Sequence, residues 1–175
     1  MNAEVVGVVT GIIIGLIICI IIYVTCNSNK KIKSEYDERQ KEIRGTSYTY
    51  GFYSVIIYLA LMLIFFMSDI AIPFVLPVIA FFGIFIGICV VAIHSIWNGA
   101  YWGLNNNKTK YFIVMTLCTV INLGVGIMGI VNGTILLGYQ GQLINLLCGI
   151  MFLIIGAVTF IKGKISPDAD IDEEA

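Results

Sequence analysis

Apolar residues run almost unbroken through five stretches of the chain, at about residues 5–24, 52–68, 74–95, 111–131 and 143–161. None of these stretches carries Asp, Glu, Lys or Arg in its interior. A bilayer's hydrocarbon core is ~30 Å thick, and a helix rising about 1.5 Å per residue needs about 20 apolar residues to cross it. Spanning strands would instead alternate polar and apolar positions over ~10 residues, whereas these runs are continuously apolar. The pattern predicts an all-α integral membrane protein with five transmembrane helices, forming one membrane domain over residues 1–175. The second stretch is the shortest, and its helix is expected to begin near Ser47, with the first turn in the interface.

The polar positions between the stretches predict an orientation. Lys30, Lys31, Lys33, Arg39, Lys41 and Arg44 fall in the linker 25–51, Lys108 and Lys110 between the third and fourth stretches, and Lys162 and Lys164 in the tail 162–175. With alternating spans, all 10 basic residues share one side of the membrane. Lys and Arg mark cytoplasmic loops, so the N-terminus is expected outside and the C-terminus inside. Tyr48, Tyr50, Trp97, Tyr101, Trp102 and Tyr111 gather at the same proposed interface, where amphipathic rings settle. The first stretch has Glu4 in place of a basic n-region and is too long for a signal h-region, so it is read as an uncleaved anchor.

Composition excludes the soluble alternatives. Of 175 residues, 59% are apolar and 12% charged, against about 25% charged in ordinary domains; the mean hydropathy is +0.96. A soluble globule of this size must cover about 30% of its unfolded surface with suitable groups, and 10 basic plus 11 acidic residues are too few. No basic stripe of the nucleic-acid-binding kind is present. The five cysteines show no metal-type spacing and are read as apolar fillers.

The linker carries the most information. Ser34 and Asp37 have capping-box spacing, and Glu35 with Arg39 and Asp37 with Lys41 form i,i+4 acid–base pairs. Gly45 is a plausible stop. A short cytoplasmic juxtamembrane helix over residues 35–44 is therefore expected, lying on lipid headgroups or docking a membrane or cytoplasmic partner. Asp37, Glu38, Arg39, Gln40 and Arg44 are the candidate docking residues.

Asp37-Glu38-Arg39-Gln40, then Arg44-Gly45, then Tyr50-Gly51-Phe52 entering a span resembles the D-E-R-Q box of small multi-pass membrane proteins of low-GC Gram-positive bacteria. Ala100-Tyr101-Trp102-Gly103-Leu104-Asn105 is also similar to those proteins. The resemblance covers residues 35–110. It implies a bacterial plasma membrane and supplies no activity.

Within the spans, Gly7, Gly11 and Gly15 form a doubled small-x-x-x-small face, with Gly83/Gly87, Gly129/Gly133 and Gly149/Gly156 as further spaced pairs. Such faces pack helices in a bundle, and the first could also serve a homo-oligomer. His94, Asn122 and Asn145 are the candidate intramembrane polar contacts. His94 lies near the interface, and Asn122 is expected to hydrogen-bond to another helix or a backbone carbonyl, because an unpaired amide in lipid costs several kcal/mol. Asn145 lies near the outer end of the fifth span.

One histidine and no intramembrane carboxylate leave no nucleophile–base pair, carboxylate dyad or H-E-x-x-H. The D-x-D-x-D start of the tail lacks the Gly and final Glu of a calcium loop. Neither a cofactor nor a metal is expected. The function expected is that of a non-enzymatic accessory, regulatory or interaction subunit of the cell membrane. The alternative is a small oligomeric channel or transporter, with Asn122 and His94 lining its path.

Overall fold

A computed structural model of the chain describes residues 34–68, 76–133 and 140–165, together with positions 17, 20, 21, 24 and 25. Four helices follow one another: α1 (Glu38–Met67), α2 (Leu76–Trp97), α3 (Lys108–Val131) and α4 (Gln140–Ile165). Each is long and apolar enough to cross a membrane, and the described residues form no strand. The protein is thus all-α and of the membrane class. The described positions of the first apolar stretch are helical. Gly7, Gly11 and Gly15, residues 69–75 and 134–139, and the tail from 166 onward lie outside the described residues.

The linker folds differently from the sequence expectation. No separate helix ends at Gly45; α1 runs unbroken for 30 residues. Its N-cap is Asp37, whose side chain accepts from Gln40 N at 2.6 Å while Asp37 N donates to Gln40 Oε1 at 3.3 Å. The capping box therefore sits three residues later than the Ser34–Asp37 spacing suggests. Gly45 costs helix stability, but only about 1 kcal/mol relative to Ala. Gly45 is followed by a helix that continues into apolar sequence, where every backbone group needs an internal partner. The hydroxyls of Thr46, Ser47, Thr49 and Ser54 fold back onto carbonyls one turn earlier.

The other helices start and stop close to the apolar runs. Pro77 falls in the first turn of α2, where its missing N–H costs nothing. Asn107 caps α3, its side chain accepting from Lys110 N at 2.9 Å. Gly133 lies just beyond α3 at φ +69°, so it ends the helix instead of extending the packing face begun at Gly129.

The bundle is arranged in the order α1–α2–α4–α3, each helix packing on the next. Glycines set the closest approaches. A Cβ at Gly87 would lie 2.7 Å from Val55 Cγ2, and one at Gly51 would collide with Val91 and lie 3.1 Å from the Gly87 carbonyl oxygen. One turn along, the Tyr58 ring covers Gly83 and its hydroxyl donates to the Ile79 carbonyl at 2.7 Å. Leu123 sits over Gly149 and Leu146 over Gly126, fixing an antiparallel register between α3 and α4. Gly156 has nothing near it. The buried core joins Phe85, Ala92 and Ile96 of α2 to Met151 and Ile155 of α4. Most other large apolar side chains face outward, including Phe52, Ile57, Leu63, Ile113 and Val120, as lipid solvation requires.

Candidate functional site: two polar motifs interlocked at one end of the bundle

The start of α1, the end of α2, the start of α3 and the end of α4 meet at one end of the bundle. Every cation among the described residues belongs to these four ends: Arg39, Lys41, Arg44, Lys108, Lys110, Lys162 and Lys164. Lys110 Nζ also reaches the Thr25 carbonyl at 3.5 Å, which brings position 25 to the same end.

The connection after α2 is built to expose carbonyls. Ala100 N donates to the Ser95 carbonyl at 2.8 Å and Gly99 N to that of Ile96 at 3.1 Å. Gly99 adopts φ +71°, a conformation that favours glycine. The carbonyls that follow are left without helical donors, at the end of α2 where the helix dipole is negative. Side chains from the first turns of α1 supply what is missing. Arg39 donates to the Asn98 carbonyl at 3.4 Å, and Gln40 Nε2 to those of Gly99 at 3.3 Å and Trp102 at 3.4 Å. Arg44 reaches the Ala100 carbonyl at 3.5 Å. The guanidinium of Arg44 also lies 4.3 Å from the Tyr36 ring centroid and bonds the Tyr48 hydroxyl at 2.5 Å.

The segment before α1 completes the interlock. Leu104 N donates to the Glu35 carbonyl at 2.7 Å, Glu35 N to Asn105 Oδ1 at 2.9 Å, and Ser34 Oγ to Asn106 Oδ1 at 2.9 Å. Asn105 is buried. Thus the two motifs that carry the sequence resemblance, around Asp37–Gln40 and Ala100–Asn105, are one structure. Burial pushes the Tyr101 phenol above its ordinary pKa; Tyr36 adds to the shift, and Arg44 opposes it.

Four of the candidate docking residues are engaged within the chain: Asp37 and Gln40 on the cap, and Arg39, Gln40 and Arg44 on the carbonyls that follow α2. Glu38 is exposed, and Arg39 is exposed beside the Asn98 carbonyl. His94 lies one layer below the interlock. Ser47 Oγ donates to the Ile43 carbonyl at 2.7 Å and lies 2.8 Å from His94 Nδ1. The Tyr50 ring meets the imidazole edge-on at 4.9 Å.

Asn122 Nδ2 donates to the Cys118 carbonyl of its own helix at 2.8 Å, and Asn145 is half-buried in α4. The α3–α4 register places Asn145 more than a turn from Asn122. His94, Asn122 and Asn145 are therefore not brought together. Sequence reasoning passed over Ser47, Gly103 and Asn105 as individual sites; the hydroxyl run Thr46-Ser47-Tyr48-Thr49 inside a helix was the available signal for the first.

Beside the interlock opens a cleft of about 770 Å³. Arg39, Lys108, Lys162, Trp97, Trp102 and Phe112 line it, with Asp37 its one acidic lining residue among those described. Lys162 Nζ lies 5.8 Å from the Trp97 ring centroid, within cation–π range. Among the described residues no three His, Cys, Asp or Glu side chains converge as a metal site. Comparison with protein families, with curated proteins and with solved structures finds no match to this chain.

Proposed function

We propose that the chain crosses the plasma membrane of a bacterial cell five times, N-terminus outside and C-terminus inside, as a non-enzymatic accessory, regulatory or interaction subunit. The observation that carries this reading is the unbroken α1. Its 30 residues reach about 45 Å at ~1.5 Å per residue, against a hydrocarbon core of ~30 Å. The first turns therefore project beyond the hydrocarbon as a rigid extension of a span, with Glu38, Lys41 and Glu42 exposed. A protein held on that projection would move α1 as a rod and, through Gln40 and Arg44, the end of α2.

Clustering of the cations at one end supports the orientation through the positive-inside rule. The resemblance of the Asp37–Gln40 box supports the bacterial membrane. The channel alternative has less behind it, because the His94 ring and the Asn122 amide are each engaged by near neighbours.

A photo-crosslinking residue in place of Lys41, compared with one at lipid-facing Leu61, tests the proposal in cells. The expected result is a discrete protein adduct, distinct from a second copy of this chain, at position 41 alone. A monomer free of adducts at position 41, which also purifies alone in mild detergent, would contradict it.

A further inference from the structure

Two of the helices end on the same dipeptide: Asn98-Gly99 follows α2, and Asn132-Gly133 follows α3. The two glycines adopt φ +71° and +69°. Their N–H groups donate to the Ile96 and Ile130 carbonyls at 3.1 and 3.0 Å. Asparagine is a chemically labile residue, most of all before glycine, whose missing side chain leaves its own backbone nitrogen unhindered.

The surroundings of the two pairs differ. Asn98 Nδ2 donates to the His94 carbonyl at 2.8 Å, and Arg39 reaches the Asn98 carbonyl at 3.4 Å. Gln40 holds the Gly99 carbonyl at 3.3 Å, and the N–H of buried Ala100 donates to the Ser95 carbonyl at 2.8 Å. For Gly99 N to meet Asn98 Cγ, the amide must leave His94 and the backbone must turn against all of these bonds. Asn132 is exposed, and among the described residues no partner holds its side-chain amide. Its backbone keeps a helical ψ of −1°, held by the bonds of the last turn, from Asn132 N to Met128 at 3.0 Å and from Gly133 N to Ile130. A last turn frays, and local opening there costs far less than unfolding. Each opening frees the Gly133 nitrogen and lets ψ rotate. The 24 residues of α3 reach about 36 Å at ~1.5 Å per residue, against a hydrocarbon core of ~30 Å, so its end lies within reach of water.

We infer that Asn132 is a site of spontaneous deamidation, a reaction that the interlock denies to Asn98. Gly133 N gives up its proton to hydroxide and bonds to Asn132 Cγ. The Cγ–Nδ2 bond breaks, and the departing nitrogen takes a proton from water and leaves as ammonia. Water then opens the succinimide ring at either carbonyl, which leaves aspartate or isoaspartate at position 132. Each modified chain carries one new negative charge at the C-terminal end of α3, where the helix dipole disfavours it. The reaction needs only the folded bundle and water, and it is independent of the partner role.

The test holds the full chain, in phosphatidylcholine vesicles, in mildly alkaline buffer made with heavy-oxygen water. Peptide mass spectrometry then follows oxygen incorporation at the two asparagines over time. Asn132 is expected to convert at least about tenfold faster than Asn98, the ratio being set by the difference in local opening. In the chain unfolded with guanidinium chloride the two rates are expected to agree within about threefold, because the dipeptide is the same and local protection is gone. The double variant Arg39→Ala, Gln40→Ala removes the side chains that hold the Asn98 and Gly99 carbonyls. It is expected to speed conversion at Asn98 by about threefold or more while Asn132 stays within about twofold. Equal rates at the two sites in the folded chain overturn the inference. So does an Asn132 that resists conversion in the folded chain under conditions that convert it in the unfolded one. An Asn98 rate unmoved by the double variant overturns the protection assigned to the interlock.

Discussion

At Gly103 the connection between α2 and α3 passes so close to the segment before α1 that a Cβ would lie 2.7 Å from the Glu35 carbonyl oxygen and 3.0 Å from Ser34 Cβ. Both neighbours are anchored by the hydrogen bonds of the interlock, so the strands of chain would have to separate. Gly103→Ala is expected to break the 2.7 Å bond from Leu104 N to the Glu35 carbonyl and to cost about 1–3 kcal/mol, the usual range for overpacking. Thermal unfolding in detergent followed by tryptophan fluorescence reads this through Trp102, the adjacent residue. Gln40 has the opposite character. Its amide closes the cap of α1 and bonds two carbonyls across the interlock, so its contribution lies in joining two elements, whereas the constraint at Gly103 is one of space.

Among the elements, α1 shows what glycine means in two settings. Nothing lies within 4 Å of a Cβ built on Gly45, whereas one on Gly51 meets Val91 and the Gly87 backbone. Gly45→Ala is therefore expected to stabilise the protein by about 0.4–1 kcal/mol through reduced unfolded-state entropy. Gly51→Ala is expected to destabilise it by about 1–3 kcal/mol as α1 is pushed off α2. The two midpoints, measured side by side, should move in opposite directions; a shift of the same sign in both would refute the crossing.

The same glycines show where the sequence was legible. Runs 74–95, 111–131 and 143–161 lie within a few residues of α2, α3 and α4, because an abrupt change from apolar to polar residues marks a membrane helix well. The continuation of α1 through Gly45 was hidden, since a glycine before an apolar run reads equally as a stop and as a tolerated interior position. The Asp37–Gln40 and Ala100–Asn105 motifs were each visible, but the Gln40–Gly99 contact joins residues 59 positions apart. No local periodicity encodes such a pairing. The cleft escaped for the same reason, being assembled from the ends of four helices.

For the whole molecule, the arrangement divides labour between oil and water. The helices α2 and α4 form the packed centre, α1 and α3 flank them, and outward faces are left to lipid. Among the described residues the cations and the cleft collect at one end. The proposed topology makes a single statement that can be tested: every lysine would lie on the cytoplasmic side. The most direct test treats intact cells with a membrane-impermeant amine reagent and maps the modified lysines by mass spectrometry, with permeabilised cells in parallel. Lys41, Lys108 and Lys164 are expected to remain unmodified in intact cells and to react once the membrane is opened. Modification of any of the three from outside an intact cell would contradict the account.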